Sequence, residues 1–130
     1  MEGKTAADIL ARNCEAKPES LLYELHEKNR FSARQFWALY DALLALAEDA
    51  RTTGRQIETA GRIAFICQQV LKEFLYHLDQ QDGSQLAGFP QDYGGYIERL
   101  EYAQDAWFRG VSIDENLFGL KRPDGEIPDD

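Results

Sequence analysis

The sequence predicts an all-α protein, a compact single-domain bundle of four to five helices followed by a mostly irregular C-terminal tail. Apolar residues recur at helical spacing through most of residues 1–110, and no segment alternates polar and apolar residues as a half-buried strand would. With 130 residues, 44% of them hydrophobic, the chain can bury one substantial core. We assign residues 1–110 to the helical domain and 111–130 to the tail. The last ten residues contain two prolines and end in two aspartates, so we expect them to be disordered.

Polar caps and a proline place the first two helices. Thr5, with Asp8 three residues later, has the spacing of a capping box and predicts the start of the first helix. Its apolar positions continue to about Ala16. Pro18 interrupts the pattern and suits the first turn of a second helix, which we expect to end near Asn29.

The stretch "RFSARQFWALYDALLALAEDARTTG" carries the clearest helix signal in the chain. Ser32 is placed to act as the N-cap, with Gln35 completing a capping box. Phe31 and Phe36 have the spacing of a hydrophobic staple across that cap. Gly54 suits the end of the helix because glycine tolerates the left-handed backbone that follows many helices.

A fourth helix is predicted from about Arg55 to Gln81. Its apolar residues form a band wider than the stripe of an ordinary surface helix, so we expect it in the centre of the bundle. They are Ile57, Ala60, Ile63, Ala64, Cys67, Val70, Leu71, Phe74, Leu75 and Leu78.

The glycine-rich segment 82–95 then breaks the helical pattern, and its Leu86, Phe89 and Tyr93 predict that it packs on the bundle. A fifth helix follows to about Phe108, and Gly110 ends it.

Charge is unevenly distributed along the chain. The net charge is −9, of which residues 1–78 contribute −1 and residues 79–130 contribute −8. No basic patch is apparent, so we expect no direct binding to nucleic acid.

No apolar run approaches the ~20 residues of a membrane span, and the N-terminus lacks the pattern of a secretory signal. These observations predict a cytoplasmic location and no membrane partner.

The usual catalytic constellations are absent from the sequence. It has no glycine-rich phosphate loop and no G-x-S-x-G elbow, so we expect neither catalysis nor a cofactor. Glu73 and His77 share a helix face, but a surface pair is favoured over a metal site because the Glu-x-x-His element of di-metal bundles does not occur even once in the sequence. We expect His26 to be exposed. Cys14 and Cys67 are typical of buried free thiols, although a disulfide between packed helices stays open.

The fifth helix separates apolar from acidic residues. At 100° per residue, Tyr96, Leu100, Ala103 and Trp107 share one side, and three carboxylates spaced i, i+3, i+7 share the opposite side. These carboxylates, those of Glu98, Glu101 and Asp105, lack the Lys or Arg at i+4 that ordinarily balances a solvated face. An ordinary solvated face remains the alternative to a binding surface.

Unbalanced carboxylates among aromatic residues are suited to attracting and holding a basic protein. We predict that the partner-binding residues are Asp82, Asp92, Tyr93, Glu98, Glu101, Tyr102 and Asp105. In size, charge and lack of catalytic motifs the chain resembles immunity proteins and antitoxins, which occlude toxic nucleases, although it matches no family motif. The function predicted is therefore a non-catalytic protein-binding inhibitor.

Two other functions stay open. A secretion chaperone or adaptor that holds a segment of an exported effector would have a similar size and charge, and it would show an exposed apolar groove and form a homodimer. A phage-type inhibitor that mimics nucleic-acid charge is favoured less, because residues 1–110 carry only −5. The sequence does not decide the oligomeric state.

Overall fold

The computed structural model describes residues 1–79, 81, 83 and 85–128. The fold is all-α, as predicted, and the single β-bridge within these residues joins Arg30 to Ala87. The elements in chain order are α1 (Gly3–Cys14), α2 (Leu21–His26), α3 (Ala33–Thr53), α4 (Ile57–Leu78), α5 (Tyr93–Arg109) and the short 3-10 helix η1 (Glu115–Leu117). None of the helices in the described part of the chain combines the length and apolarity needed to cross a bilayer.

Helix α3 forms the centre of the bundle and packs extensively against both α1 and α5. The Oγ atom of Ser32 accepts a hydrogen bond from the Gln35 N–H at 3.2 Å, which confirms the predicted N-cap. The Phe31 and Phe36 rings lie 6.2 Å apart across this cap, as a hydrophobic staple requires. Eight α3 side chains are buried: Phe36, Trp37, Leu39, Tyr40, Ala42, Leu43, Ala47 and Ala50.

Helix α1 begins before the predicted cap. It starts at Gly3, and Glu2 occupies the N-cap position without a side-chain hydrogen bond. Thr5 therefore lies inside the helix, and the predicted Thr5–Asp8 capping box is wrong. The backbone of Ala6 already donates to the Glu2 carbonyl at 3.0 Å, so the first helical turn closes upstream of Thr5.

Helix α2 begins later than predicted, because a buried asparagine of α1 fixes its start. The Asn13 side-chain oxygen accepts hydrogen bonds from the backbone N–H groups of Leu21 and Leu22 at 2.9 and 3.3 Å. Ser20 acts as the N-cap and accepts from the Tyr23 N–H at 3.2 Å. Pro18 consequently lies outside the helix, and its predicted place in the first turn is wrong.

Helix α4 does not occupy the centre, contrary to the prediction. One side packs against α1, α2 and α5 and buries Ile63, Ile66, Cys67, Val70 and Phe74. The other side stays exposed, and Ile57 and Leu75 retain 92% and 62% of their accessible surface. Periodicity shows which sides of a helix are apolar, but it does not show how many neighbours in the same chain cover them.

The segment between α4 and α5 packs on the bundle, as its apolar residues predicted. Ala87 forms two backbone hydrogen bonds, accepting from the Phe31 N–H at 2.9 Å and donating to the Asn29 carbonyl at 2.8 Å. Leu86 is buried next to them. The ring of Phe89 stacks on His77 with centroids 3.9 Å apart. Asp82 lies outside the described residues.

Candidate functional site

Helix α5 presents one side to the core and the other to solvent. Its buried residues are Arg99, Leu100, Ala103, Ala106 and Trp107. Gly110 ends the helix as predicted, in a left-handed conformation (φ +69°), and its N–H donates to the Ala106 carbonyl at 3.1 Å. Glu98 and Glu101 lie on the exposed side.

The chain after α5 folds back onto this helix and is held there by the guanidinium of Arg99. Its Nη1 donates to Glu115 Oε1 at 2.7 Å and to the Tyr40 hydroxyl at 3.0 Å. Its Nε and Nη2 donate to the Leu120 carbonyl at 3.1 and 2.8 Å. The Phe118 ring covers the guanidinium at 4.4 Å. Three of these donor contacts, those to Glu115 and Leu120, and the stacked ring thus attach residues 115–120 to the bundle.

The attached tail and the acidic side of α5 enclose a groove of about 320 Å³. The Tyr102 ring lies 5.4 Å from that of Phe118, and the Tyr102 hydroxyl accepts a hydrogen bond from the Ile113 N–H at 3.4 Å. We call the whole feature the acidic groove. Four of its lining residues come from α5 and three from the tail: Glu98, Glu101, Tyr102, Asp105, Val111, Ile113 and Phe118.

Two of the three carboxylates in the acidic groove have no ion-pair partner within the described ranges, those of Glu98 and Glu101. Asp105 differs from the prediction, because Arg109 at i+4 lies 3.7 Å from its carboxylate. Arg99, the other cation of α5, points into the core toward Glu115. Cations from α1–α4 therefore do not neutralise Glu98 and Glu101.

The predicted partner-binding residues do not all come together. Glu98, Glu101, Tyr102 and Asp105 line the acidic groove. Asp92 and Tyr93 lie at the opposite, N-terminal end of α5. There the Tyr93 ring packs 5.5 Å from that of Phe89, and Asp92 occupies the N-cap position without a side-chain hydrogen bond. Burial and, less strongly, the Asp92 carboxylate raise the pKa of Tyr96.

Sequence reasoning missed the tail wall of the groove and the role of Arg99. Val111, Ile113 and Phe118 follow no secondary-structure period, so nothing in their spacing indicated that they return to α5. Arg99 did carry a signal. It lies three residues after Tyr96 and four before Ala103, which places it at the edge of the buried stripe.

The histidines and cysteines do not form a metal or disulfide site. Glu73 Oε1 lies 2.8 Å from Nδ1 of His26, an exposed residue as predicted, and not from His77, so the predicted Glu73–His77 pair is wrong. The reason is tertiary, since α2 packs on this part of α4. No group of three or more metal-ligating side chains occurs among the residues that the structure describes. Cys67 is buried and Cys14 partly buried, both as free thiols.

Comparison of the chain with protein-family models, curated proteins and solved structures gives no match. The groove itself therefore carries the functional inference. It combines apolar side chains with two carboxylates that no cation of the described residues neutralises.

Proposed function

We propose that the protein is a non-catalytic, cytoplasmic inhibitor, comparable to an immunity protein or antitoxin, that binds a basic protein through the acidic groove. The observation that carries the proposal is the placement of Glu98 and Glu101, two carboxylates without an ion-pair partner in the described part of the chain, beside an apolar wall. A toxic nuclease is the partner class that this chemistry fits, because a nuclease exposes cations where it contacts phosphates.

Both sides of the groove suit a lysine or arginine of the partner. The long apolar stem of such a side chain packs along apolar surface while its charged end reaches a carboxylate or water. Ile113 and Phe118 offer that surface, and Glu98 and Glu101 offer the acceptors. The surrounding excess of negative charge speeds the encounter, whereas the groove supplies the short-range contacts.

The test uses a candidate basic nuclease toxin, and the reading frames that neighbour the gene for this chain are screened first. Calorimetric affinity and inhibition of the toxin are measured for wild type and for the double variant Glu98→Gln with Glu101→Gln, which retains side-chain size. We expect the affinity of the double variant to fall by about 10–100-fold, with a weaker dependence on salt.

A matched control separates the groove from net charge. Glu15→Gln with Glu48→Gln removes the same two charges, but these carboxylates are already paired with Lys17 and Arg51 at 3.4 and 3.5 Å. We expect this control to change affinity by less than about threefold. Equal losses for the two double variants, or no loss for either, would contradict the use of the groove.

A secretion chaperone is the second candidate, and the exposed apolar side of α4 favours it. Such a protein would hold an apolar export segment on that side. Its binding would then be lowered by Leu71→Glu with Leu75→Glu and left unchanged by the Glu98 and Glu101 substitutions. Titration of a fluorescently labelled effector segment distinguishes this candidate from the inhibitor.

A further inference from the structure

The outward side of α4 carries a regular pattern that the bundle leaves uncovered. Seven positions alternate spacings of four and three residues, which is the seam pattern of a two-stranded coiled coil. All seven are exposed. They are Ile57, Gly61, Ala64, Gln68, Leu71, Leu75 and Leu78. Since α4 is apolar on two sides and its own bundle covers one, the second side lacks a neighbour.

The exposed apolar surface is large enough for association. Six large side chains of α4 retain between 38% and 92% of their surface: Ile57, Phe65, Leu71, Leu75, Tyr76 and Leu78. Taken together, these fractions amount to about three whole side chains, or roughly 600 Å² at ~200 Å² for each. Two such surfaces facing each other would bury roughly 1,200 Å², the lower limit for a stable protein interface.

The charges beside the seam are complementary to a reversed copy of themselves. Glu58, Phe65 and Lys72 follow one another at intervals of seven residues along one edge of the seam. If two α4 helices meet antiparallel about a two-fold axis at Phe65, Glu58 of each copy lies opposite Lys72 of the other. A parallel pair would instead place this edge of the two copies on opposite sides of the seam, so Glu58 of one copy and Lys72 of the other would not meet.

These flanking charges are available. Lys72 has no ion-pair partner within residues 1–79, 81, 83 and 85–128. Glu58 is 76% exposed, and among the described residues its ion pair is with Arg62 of the same helix at 3.0 Å.

Side-chain sizes are complementary in the same antiparallel register. In an antiparallel coiled coil the seam layers are offset by two residues from the edge pairs, so the register that pairs Glu58 with Lys72 places Gly61 opposite Leu71 of the other copy and Ile57 opposite Leu75. A side chain built at Gly61 would meet nothing within 4 Å, so the space above this glycine is open in the single chain. Glycine inside a helix costs about 1 kcal/mol relative to alanine, and close approach of a second helix gives that cost a structural reason.

We propose that α4 forms the interface of an antiparallel homodimer with a two-fold axis near Phe65. The partner is a second copy of this chain. The proposal is independent of the acidic groove, since no residue lining that groove belongs to α4.

Charge exchange tests the pairing. Sedimentation and light scattering of the full chain give the dimer dissociation constant for wild type, Glu58→Lys, Lys72→Glu and the double variant. Each single variant should weaken the dimer about tenfold, because it creates two like-charge contacts, and the double variant should return to within about threefold of wild type. Circular dichroism checks that all four chains are folded. A monomeric wild type, or a double variant weaker than both single variants, would overturn the proposal.

Cysteine crosslinking tests the orientation. In a Cys14→Ser background, Glu58→Cys and Lys72→Cys chains are oxidised separately and as a mixture. Antiparallel pairing yields a crosslinked dimer only in the mixture. Crosslinks within each separate sample would show that equivalent positions meet, which the proposed register does not allow, and no crosslink in any sample would show that α4 is not the interface; either result refutes the proposal.

Discussion

The guanidinium of Arg99 donates a hydrogen bond to the carboxylate of Glu115 at 2.7 Å and joins the interior of the bundle to the tail. The Arg99 side chain is 2% exposed, whereas that of Glu115 is 40% exposed. The pair therefore runs from the core to the surface. Because a buried charge needs its partners, the tail is part of the folded domain in energetic terms and not an appendage to it.

Replacing Arg99 should loosen the tail. Arg99→Met keeps a long apolar stem but removes the charge and the contacts to Glu115, Tyr40 and Leu120, so we expect a loss of about 2–4 kcal/mol in the free energy of unfolding. Urea denaturation gives this loss, and limited proteolysis reports cleavage after Gly110. Arg122→Met is the control: Arg122 pairs with Asp41 at the surface, and its loss should cost less than about 1 kcal/mol. Equal protease resistance of wild type and Arg99→Met would contradict the anchoring role.

The sequence predicted the elements whose signals are local. The N-cap and hydrophobic staple of α3 involve only residues 31–36. The end of α5 at Gly110 depends only on the tolerance of glycine for a left-handed backbone. Contacts between distant residues were harder to predict. Nothing near Asn13 indicates that its amide would capture the start of α2, and nothing near Glu73 indicates that it would meet His26. The apolar band of α4 was read correctly as wide enough for several neighbours, which are α1, α2 and α5, but the expected central position was wrong because the other side of α4 is exposed.

The candidate site shows the same division. Helical angles correctly grouped Glu98, Glu101 and Asp105, because they share one element. The tail wall required knowledge of where residues 111–120 return, which depends on the buried Arg99. Composition predicted disorder for residues 121–130. Two residues of this segment contact α3: Arg122 pairs with Asp41, and the Ile127 carbonyl accepts a hydrogen bond from Arg34. Asp129 and Asp130 lie outside the described residues.

Ala16 occupies a position that favours glycine. Its φ is +50°, and the N–H groups of Ala16 and Lys17 donate to the carbonyls of Asn13 and Arg12 at 3.0 and 2.9 Å, the Schellman arrangement at the end of α1. Ala16→Gly should raise the free energy of unfolding by about 0.5–1 kcal/mol, since glycine removes the left-handed penalty. Gly110→Ala, at φ +69°, should lower it by a similar amount. Chemical denaturation measures both. Destabilisation by Ala16→Gly would mean that packing of the alanine methyl group outweighs backbone strain.

His77 positions the segment before α5 through one ring nitrogen. The Leu86 N–H donates to Nδ1 of His77 at 2.8 Å, so this nitrogen carries no proton in the folded structure. His77→Phe retains an aromatic ring against Phe89 but removes the acceptor, and we expect a loss of about 1 kcal/mol. Hydrogen exchange at the Leu86 amide should accelerate in this variant. A matched exchange rate in wild type and variant would show that the hydrogen bond does not protect this amide.

Stability should decline in alkali because buried groups hold their protons. Burial raises the pKa of the Cys67 thiol to about 12 and also raises the pKa of Tyr40. The unfolded chain releases these protons near the ordinary values of 9.0 and 10.0, so above about pH 9 the folded state binds more protons than the unfolded state. The free energy of unfolding therefore falls as the pH rises from about 9 toward 12.

Cys67→Ala isolates the contribution of the thiol. Each such group adds up to about 1.4 kcal/mol per pH unit to the slope, so the variant should show a shallower alkaline decline even though its stability at neutral pH is lower. Urea denaturation at a series of pH values gives both slopes. Cys14→Ala serves as the control, since Cys14 is only partly buried. Identical slopes for wild type and Cys67→Ala would show that the Cys67 thiol ionises equally in the folded and unfolded chains. That result would contradict the raised pKa that burial of the thiol predicts.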